Sequence, residues 1–257
     1  MKKYALITGA SSGIGREFAH IFAQNNTNLV LIARSADTLE SIKNELQAKY
    51  NIDIHTIGLD LSKIESTQLI LDYTEKQQLE IEYLINNAWF GDYWNFIETK
   101  LDRNIDMIQL NITTLTSLSR LYGEKMVKKW SGKILNVAST AAFQPGPNMA
   151  VYFATKSYVL NFSLALSEEL IWSWVTITTL CPWPTKSNFQ NEANAKWIHI
   201  FKWNIPTSHD VALYGYKQML KGNTLAIHGF MNAIKAFSVK FLPYKIQLIM
   251  LKKMNWR

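Results

Sequence analysis

Apolar and polar residues alternate along the chain in blocks that predict a repeated order of strand and helix. Short apolar runs suited to buried strands are separated by segments whose apolar residues recur at helical spacing. The predicted strands are residues 4–7, 28–34, 52–59, 83–88, 133–139, 174–181 and 224–227. Because helical segments separate the strands, the sequence predicts a single α/β domain with a doubly wound, parallel, seven-stranded sheet.

A glycine loop joins the first predicted strand to the first predicted helix. Gly9, Gly13 and Gly15 all fall in this turn. Such a loop brings bare backbone N–H groups and the positive end of a helix dipole to one point, which suits a pyrophosphate. The pattern therefore favours a Rossmann dinucleotide site, although an ordinary turn with three glycines can have the same sequence pattern.

The second predicted strand ends in Arg34, where a dinucleotide fold places the group that reads the adenosine ribose. The planar donor fork of an arginine suits a 2′-phosphate, whereas an acid would suit a free 2′-hydroxyl. The sequence therefore predicts NADPH in preference to NADH, and Arg16 supports the same preference. The alternative is that both arginines are exposed and hold no ligand.

Three residues form a candidate chemical centre. Lys156 follows Tyr152 by one helical turn, so the two side chains lie roughly 40° apart on one face. A neighbouring ammonium is expected to lower the pKa of Tyr152, making the phenol a general acid or base near neutral pH. Ser139 ends the fifth predicted strand at the edge where such sheets bind ligands, and its hydroxyl can donate to a carbonyl oxygen. On its own, Tyr-x-x-x-Lys is also typical of an exposed helical pair.

These motifs together resemble the short-chain dehydrogenase/reductase family. The segment Thr8-Gly-Ala-Ser-Ser-Gly-Ile-Gly15 matches the family signature at every fixed position, and the resemblance spans about residues 3–230. It implies an NADPH-dependent oxidoreductase that transfers hydride between a nicotinamide cofactor and a carbonyl or alcohol substrate. Residues 137–146 resemble the bacterial branch of general specificity near the 3-oxoacyl reductases, so a ketone or 3-oxoacyl substrate is expected.

The resemblance also implies site residues. The implied catalytic residues are Asn111, Ser139, Tyr152 and Lys156, with Asn111 holding a water that relays protons to the lysine. The implied cofactor contacts are Gly9, Ser11, Ser12, Gly13, Ile14, Gly15, Arg34, Asp60, Leu61, Asn87, Ala88, Tyr152, Lys156 and Thr185. Two alternatives stay open. Asp60 could serve only as a helix cap at Ser62, and Asn111 could lie on the solvent side of its helix. No His or Cys has metal-ligand spacing, so no metal is expected.

Charge and hydropathy set the C-terminal part apart. The net charge is +7, and residues 186–257 carry a balance of +9, which leaves −2 for residues 1–185. We expect a dinucleotide-binding domain at 1–230 with a substrate lid at about 186–207, followed by a basic, apolar extension at 231–257. The extension could rest on a membrane surface, but packing on its own domain or on a second subunit is favoured. The basic charge could meet acidic lipid, an acidic carrier protein or a phosphorylated substrate, and a solvated basic face is the alternative.

Other features of the sequence bear on location and assembly. Cys181 is the only cysteine, so no internal disulfide is possible, and we expect neither an export leader nor a bilayer-spanning apolar run. The sequence therefore predicts a cytoplasmic protein with a small-molecule substrate and no nucleic-acid partner, and the resemblance implies a homo-oligomer. The competing class is a non-catalytic dinucleotide-binding sensor or membrane-surface partner.

Tryptophan stands where close relatives within the family have glycine. The positions are Trp89, Trp130, Trp172, Trp174 and Trp183, with Trp94 as a sixth candidate. Trp89 replaces the glycine of the family motif Asn-Asn-Ala-Gly. The chain has 11 Gly and nine Trp, whereas average usage predicts roughly 18 Gly. We hypothesise that UGA codons read here as Trp encode glycine in the source organism.

Overall fold

The computed structural model describes residues 2–185, 205–239 and 241–255. Its centre is a parallel sheet of seven strands in the order β3-β2-β1-β4-β5-β6-β7, which confirms the predicted doubly wound fold. The strands are β1 Lys3–Thr8, β2 Asn28–Ala33, β3 Ile54–Gly58, β4 Glu80–Asn86, β5 Gly132–Val137, β6 Val175–Cys181 and β7 Leu225–Ile227.

Helices cover both faces of the sheet. Those in the described residues are α1 Gly13–Gln24, α2 Ala36–Gln47, α3 Ser66–Lys76, α4 Leu101–Ile108, α5 Leu115–Lys129, α6 Ala150–Glu169, α7 Ser208–Leu220, α8 Phe230–Val239 and α9 Tyr244–Asn255. Successive strand residues point to opposite faces, so Ala5 and Ile7 pack among α1, α2 and α7, while Tyr4 and Leu6 pack among α3 and α5. The sheet is thus buried on both sides.

The order of the strands reverses between β1 and β4, and the glycine loop lies at this point. The Thr8 hydroxyl accepts hydrogen bonds from the backbone N–H groups of Asn87 (2.9 Å) and Ala88 (3.0 Å). The Asn87 amide donates in return to the carbonyl oxygens of Thr8 (2.9 Å) and Gly9 (3.3 Å). These bonds fix the two loops side by side at the edge where such sheets bind ligands.

Local details differ from the predicted elements. Between α4 and α5 the chain forms a π-helical segment, Gln109–Thr114, and Asn111 lies inside it with 1% of its surface exposed, not on a solvent side. Helix α7 begins with a capping box between Thr207 and Asp210, and Thr207 is its cap. Of the predicted lid at 186–207, residues 186–204 lie outside the described residues.

Two tryptophans adopt the left-handed backbone conformation that favours glycine. Trp130 follows the last residue of α5 with φ of 53°, and Trp174 precedes β6 with φ of 58°. Both side chains are exposed, by 55% and 79%, so little burial offsets the strained backbone. A residue with a bulky Cβ substituent costs roughly 1–2 kcal/mol in this conformation. The geometry therefore agrees with the hypothesis that glycine belongs at both positions.

This strain predicts an unusual stability result. Trp130→Gly should leave the free energy of unfolding unchanged or raise it by about 1 kcal/mol, because the relieved backbone offsets the lost ring contact. Trp172→Gly is the matched control, since Trp172 forms that same contact with Trp130 (ring centres 5.7 Å apart) but has no positive φ. It should lower the free energy of unfolding in urea denaturation. Equal losses in the two variants would contradict the strain.

The beginning of the predicted C-terminal extension packs on the domain itself. In α8, Ala236 is 5% exposed in a cluster with Phe143 and Ile227. The ring of Phe237 lies 5.9 Å from that of Phe143. The favoured packing on its own domain is therefore observed for one face of α8, while the domain boundary at residue 230 stays a prediction.

Candidate active site

A cavity of about 810 Å³ opens at the carboxyl ends of β1, β2 and β4. It is lined by ten of the residues that the sequence assigned to a cofactor. They are Gly9, Ser11, Ser12, Gly13, Ile14, Arg34, Asp60, Leu61, Asn87 and Ala88. The sequence therefore identified ten of the 22 residues that line the cavity, and the remaining cofactor candidates, Gly15, Tyr152, Lys156 and Thr185, do not line it.

The glycine loop provides a cradle for phosphate. Gly9 has φ of +67°, and a Cβ there would lie 2.9 Å from the Asn87 amide nitrogen. At Gly15 a Cβ would lie 2.2 Å from the Gly9 carbonyl oxygen, so Gly15 permits the close approach of α1 to the loop. The start of α1 thus points its free N–H groups and positive dipole end at the cavity, an arrangement that fits the pyrophosphate of a dinucleotide.

The far end of the cavity carries one exposed cation and one carboxylate. Asp60 accepts hydrogen bonds from the backbone N–H (3.0 Å) and hydroxyl (2.9 Å) of Ser62 and lines the cavity. These bonds close a local turn and do not cap a helix, because α3 begins only at Ser66. Burial acts against the charge of Asp60, but these bonds and nearby Arg34 hold its pKa below the ordinary value. Within the described part of the chain, no carboxylate forms an ion pair with Arg34.

Arg16 adds no positive charge to the lining of the cavity at the Arg34 end. Its guanidinium Nη2 forms an ion pair with Glu45 Oε2 of α2 at 2.9 Å, and Arg16 does not line the cavity. The support that the sequence argument drew from Arg16 is therefore not observed in this structure. Position next to the loop was the only signal for it, and the acidic partner on the neighbouring helix was not apparent from that position.

Sequence reasoning missed several residues of the wall. Ser35 follows Arg34 directly and Thr38 lies four residues after Arg34, and the hydroxyls of Ser35 and Thr38 are 2.7 Å apart. Lys100 and Arg103 form the opposite wall at the start of α4, with Arg103 bonded to Asp92 at 2.8 Å. Ser35 and Thr38 could have been found from their place after a strand end, whereas the approach of α4 depends on tertiary packing.

The three residues of the candidate chemical centre meet beside the cavity. The Tyr152 phenol is hydrogen-bonded to the Ser139 hydroxyl, and Lys156 Nζ lies 5.9 Å from the centre of the Tyr152 ring. Lys156 Nζ also donates to the Val137 carbonyl oxygen at 2.8 Å. Tyr152 is 6% and Lys156 1% exposed, so the predicted juxtaposition is present and buried.

The protonation of this pair differs from the sequence expectation. Burial raises the pKa of Tyr152 to about 12, against the smaller opposing effect of its bond with Ser139. Burial also lowers the pKa of Lys156 to about 7. Because loss of solvent disfavours both charged forms, the expected lowering of the phenol pKa by an ammonium is not observed. At neutral pH the phenol carries its proton and can donate it.

Asn111 lies next to the centre and is fully engaged. Its amide oxygen accepts from the Phe90 N–H at 3.2 Å, and its amide nitrogen donates to the Phe90 carbonyl oxygen at 3.0 Å. The same nitrogen donates to the hydroxyl of Thr155 at 3.0 Å. The π-helical turn aims Asn111 inward, which links the loop after β4 to the residue preceding Lys156.

Trp89 covers the chemical centre. Its indole lies 4.5 Å from Lys156 Nζ and its ring centre 5.8 Å from that of Tyr152, and Trp89 also lines the cavity. A half-buried ring over a desolvated ammonium is a stabilising contact worth about 2 kcal/mol. The adenosine and phosphate parts of the cavity thus fit a dinucleotide, whereas the indole crowds the end beside Tyr152 and Lys156.

Thr185, a predicted cofactor contact, does not line the cavity. It is 7% exposed, and its hydroxyl donates to the Trp183 carbonyl oxygen at 2.7 Å. Residues 186–204, which follow it, are outside the described part. In the described residues, no group of His, Cys, Asp and Glu could hold a metal ion, and no helix there is both long and apolar enough to cross a membrane.

The fold and this site define a nicotinamide-dependent α/β oxidoreductase, and comparison with known proteins identifies the family. The family profile described as short chain dehydrogenase matches residues 3–197. The chain therefore belongs to the short-chain dehydrogenase family, whose members use a nicotinamide cofactor. It is an oxidoreductase of the class that acts on hydroxyl and keto groups.

Individual relatives carry matching names. The mouse very-long-chain 3-oxoacyl-CoA reductase is 28% identical over 250 residues, covering 95% of this chain and 78% of the mouse protein. The NADP-dependent 3-hydroxy acid dehydrogenase of Schizosaccharomyces pombe is 33% identical over 189 residues, 73% of each chain. The chain spans only 58% of the length of the rat counterpart.

A solved structure supports the fold. The short-chain dehydrogenase from Sphingobium yanoikuyae in complex with NADPH has a TM-score of 0.82 and 24% identity, covering 95% of this chain and 97% of the other. This likeness confirms the arrangement of strands and helices described above.

Proposed function

We propose that this chain is an NADPH-dependent carbonyl reductase or alcohol dehydrogenase acting on a ketone or 3-oxoacyl compound. The observation that carries the proposal is the buried contact of Ser139, Tyr152 and Lys156 beside a cavity with a glycine cradle. The names of the mouse and fission yeast relatives support a 3-oxoacyl or 3-hydroxy substrate. They also favour the catalytic class over a non-catalytic dinucleotide sensor.

The chain's own residues would hold the cofactor along the cavity. Gly9 and the start of α1 would bind the pyrophosphate, Asp60 and Leu61 would lie beside the adenine, and Arg34 would bind the 2′-phosphate. Lys156 and Thr185 would reach the nicotinamide end only if the indole of Trp89 moved away or were absent. The bound cofactor would supply the hydride.

The proton in this mechanism comes from Tyr152. Its pKa of about 12 keeps the phenol protonated at neutral pH, so it can donate a proton to a carbonyl oxygen as that oxygen gains negative charge. Ser139 would donate a second hydrogen bond to the same oxygen. Lys156, with a pKa of about 7, and Asn111 would form the route by which the phenol regains its proton.

A substrate panel tests the proposal. Oxidation of NADPH should be measured with short ketones, bulky ketones and 3-oxoacyl thioesters, on chains with Trp or Gly at position 89. Turnover with a carbonyl compound supports the proposed function. Tight NADPH binding without turnover of any compound in the panel would instead support the sensor.

The preference for NADPH is tested at Arg34. Removal of the charged donor fork in Arg34→Asp should lower kcat/KM for NADPH by about 10- to 100-fold, the value of a lost hydrogen bond to a charged group, and should favour NADH. Arg16→Gln is the matched control, because Arg16 pairs with Glu45 away from the cavity. Steady-state kinetics with both cofactors should show an unchanged preference in this control. An unchanged preference in Arg34→Asp would overturn the assignment.

The proposal also covers the assembly state and the location of the protein. We expect a homo-oligomer in the cytoplasm, with no nucleic-acid partner. The free Cys181 is buried, in keeping with a protein that needs no disulfide. A peripheral membrane contact of the basic C-terminal region remains part of this proposal.

A further inference from the structure

The two C-terminal helices expose a dense set of large apolar side chains. The most exposed are Phe230 (81%), Met231 (60%), Phe241 (88%), Tyr244 (75%) and Ile249 (58%). Isolated apolar side chains on a surface are common, but a concentration of them in one short part of the chain, residues 230–249, is typical of an interaction site. We name the exposed side of α8, of α9 and of the connection between them, which carries Phe241, the C-terminal face.

The charge of the C-terminal face has a single sign. Residues 230–257 contain five Lys and one Arg and no Asp or Glu. Among the described residues, Lys235 and Lys245 are interspersed with the exposed aromatic rings. Aromatic and aliphatic groups mixed with cations are typical of helices that lie in a membrane interface, where rings enter the acyl boundary and cations meet anionic headgroups.

The packing of α8 fixes this face relative to the candidate active site. Its inner side contacts the turn Thr140–Phe143, which directly follows Ser139, through the Phe237 and Phe143 rings (5.9 Å). Lys235 Nζ lies 5.4 Å from the ring of Trp183, in the loop after β6. The polar Gln247 side chain is turned inward, where it donates to the carbonyl oxygens of Val239 (2.9 Å) and Leu242 (2.7 Å). The Gln247 amide nitrogen thus ties α9 to the end of α8 and to the connection between the two helices, while the large apolar side chains named above stay exposed.

We propose that the C-terminal face binds the surface of an anionic phospholipid bilayer. Phe241 and Tyr244 enter the interface, and Lys245, next to Tyr244, meets the headgroups. The face lies beside the turn that carries Ser139, so the docked protein holds its active-site region close to the bilayer. This inference rests on the peripheral membrane contact in the proposed function and specifies its lipid and its residues, and it does not require the reaction, because binding is measured without turnover.

Vesicle co-sedimentation tests the proposal. The full chain should sediment with vesicles of phosphatidylcholine and phosphatidylglycerol, should bind pure phosphatidylcholine vesicles at least about tenfold more weakly, and should be released by added salt. Phe241→Glu combined with Tyr244→Glu should weaken binding to the anionic vesicles at least about tenfold. Equal binding to the two kinds of vesicle would overturn the proposal.

Ile171→Glu is the matched control, since Ile171 is 72% exposed at the opposite edge of the sheet, next to the amino end of β6. It should bind vesicles as the parent chain does.

The other possible occupant of the C-terminal face is a second copy of this chain, and light scattering distinguishes a subunit interface from a membrane-binding surface. If the double variant lowers the molecular mass in solution and leaves vesicle binding intact, the face is a subunit interface and the proposal fails. If the chain binds anionic vesicles but reduces no carbonyl compound, only the proposed function fails.

Discussion

Tyr152→Phe should remove nearly all hydride transfer while leaving the fold and cofactor binding intact. The variant loses a single hydroxyl, the one hydrogen-bonded to Ser139. Loss of a general acid lowers turnover by about 10²- to 10⁴-fold. The ring contacts with Trp89 and Phe153 are kept, so the free energy of unfolding should change little. Stopped-flow NADPH oxidation at saturating substrate measures the effect on kcat.

The control for this prediction lies on the same helix. Tyr158 is partly exposed in α6, and its hydroxyl is 3.0 Å from that of Thr116, away from the cavity. Tyr158→Phe removes an equivalent hydroxyl and should leave kcat unchanged. Both variants are compared with a parent that has the same residue at position 89. Turnover of Tyr152→Phe at the parental rate would eliminate the assigned acid.

Features written in short stretches of sequence were predicted well. The uninterrupted apolar run of β1 predicted a buried strand, and strand ends placed Arg34 and Ser139 at one edge of the sheet. Glycines of the first loop were recognisable because positive φ and close backbone approach exclude other residues. These signals are local, so the sequence predicts them without knowledge of the tertiary packing.

Features that depend on long-range packing were not predictable in the same way. The pairing of Arg16 with Glu45 joins two helices, and the burial that raises the pKa of Tyr152 depends on the loop after β4. The π-helical turn that directs Asn111 inward also requires its partners Phe90 and Thr155. The motif marked residue 89 as abnormal, but only the structure shows its indole above Lys156.

Trp89→Gly should raise kcat/KM by about two orders of magnitude. A cofactor that reaches Tyr152 and Lys156 must displace an indole that lies 4.5 Å from the ammonium and 5.8 Å from the phenol ring. The cation–π contact is worth about 2 kcal/mol and the aromatic pair about 1 kcal/mol, and about 3 kcal/mol corresponds to roughly 150-fold. Removing the indole also exposes Lys156, so its pKa should rise from about 7 towards the ordinary value, which a pH profile would detect.

Trp89→Phe is the control, because it keeps an aromatic ring at this place and should give only a small gain. If Trp89→Gly and Trp89→Phe behave alike, the indole is not the obstacle.

The codon hypothesis implies that the native protein already has glycine at position 89. Peptide mass spectrometry of the protein from its own source should find glycine at positions 89, 130 and 174, where the structure shows a covered site or a left-handed backbone. Detection of tryptophan at all three positions would reject the hypothesis, and the indole would then be a native part of the site that the cofactor must displace in each binding event.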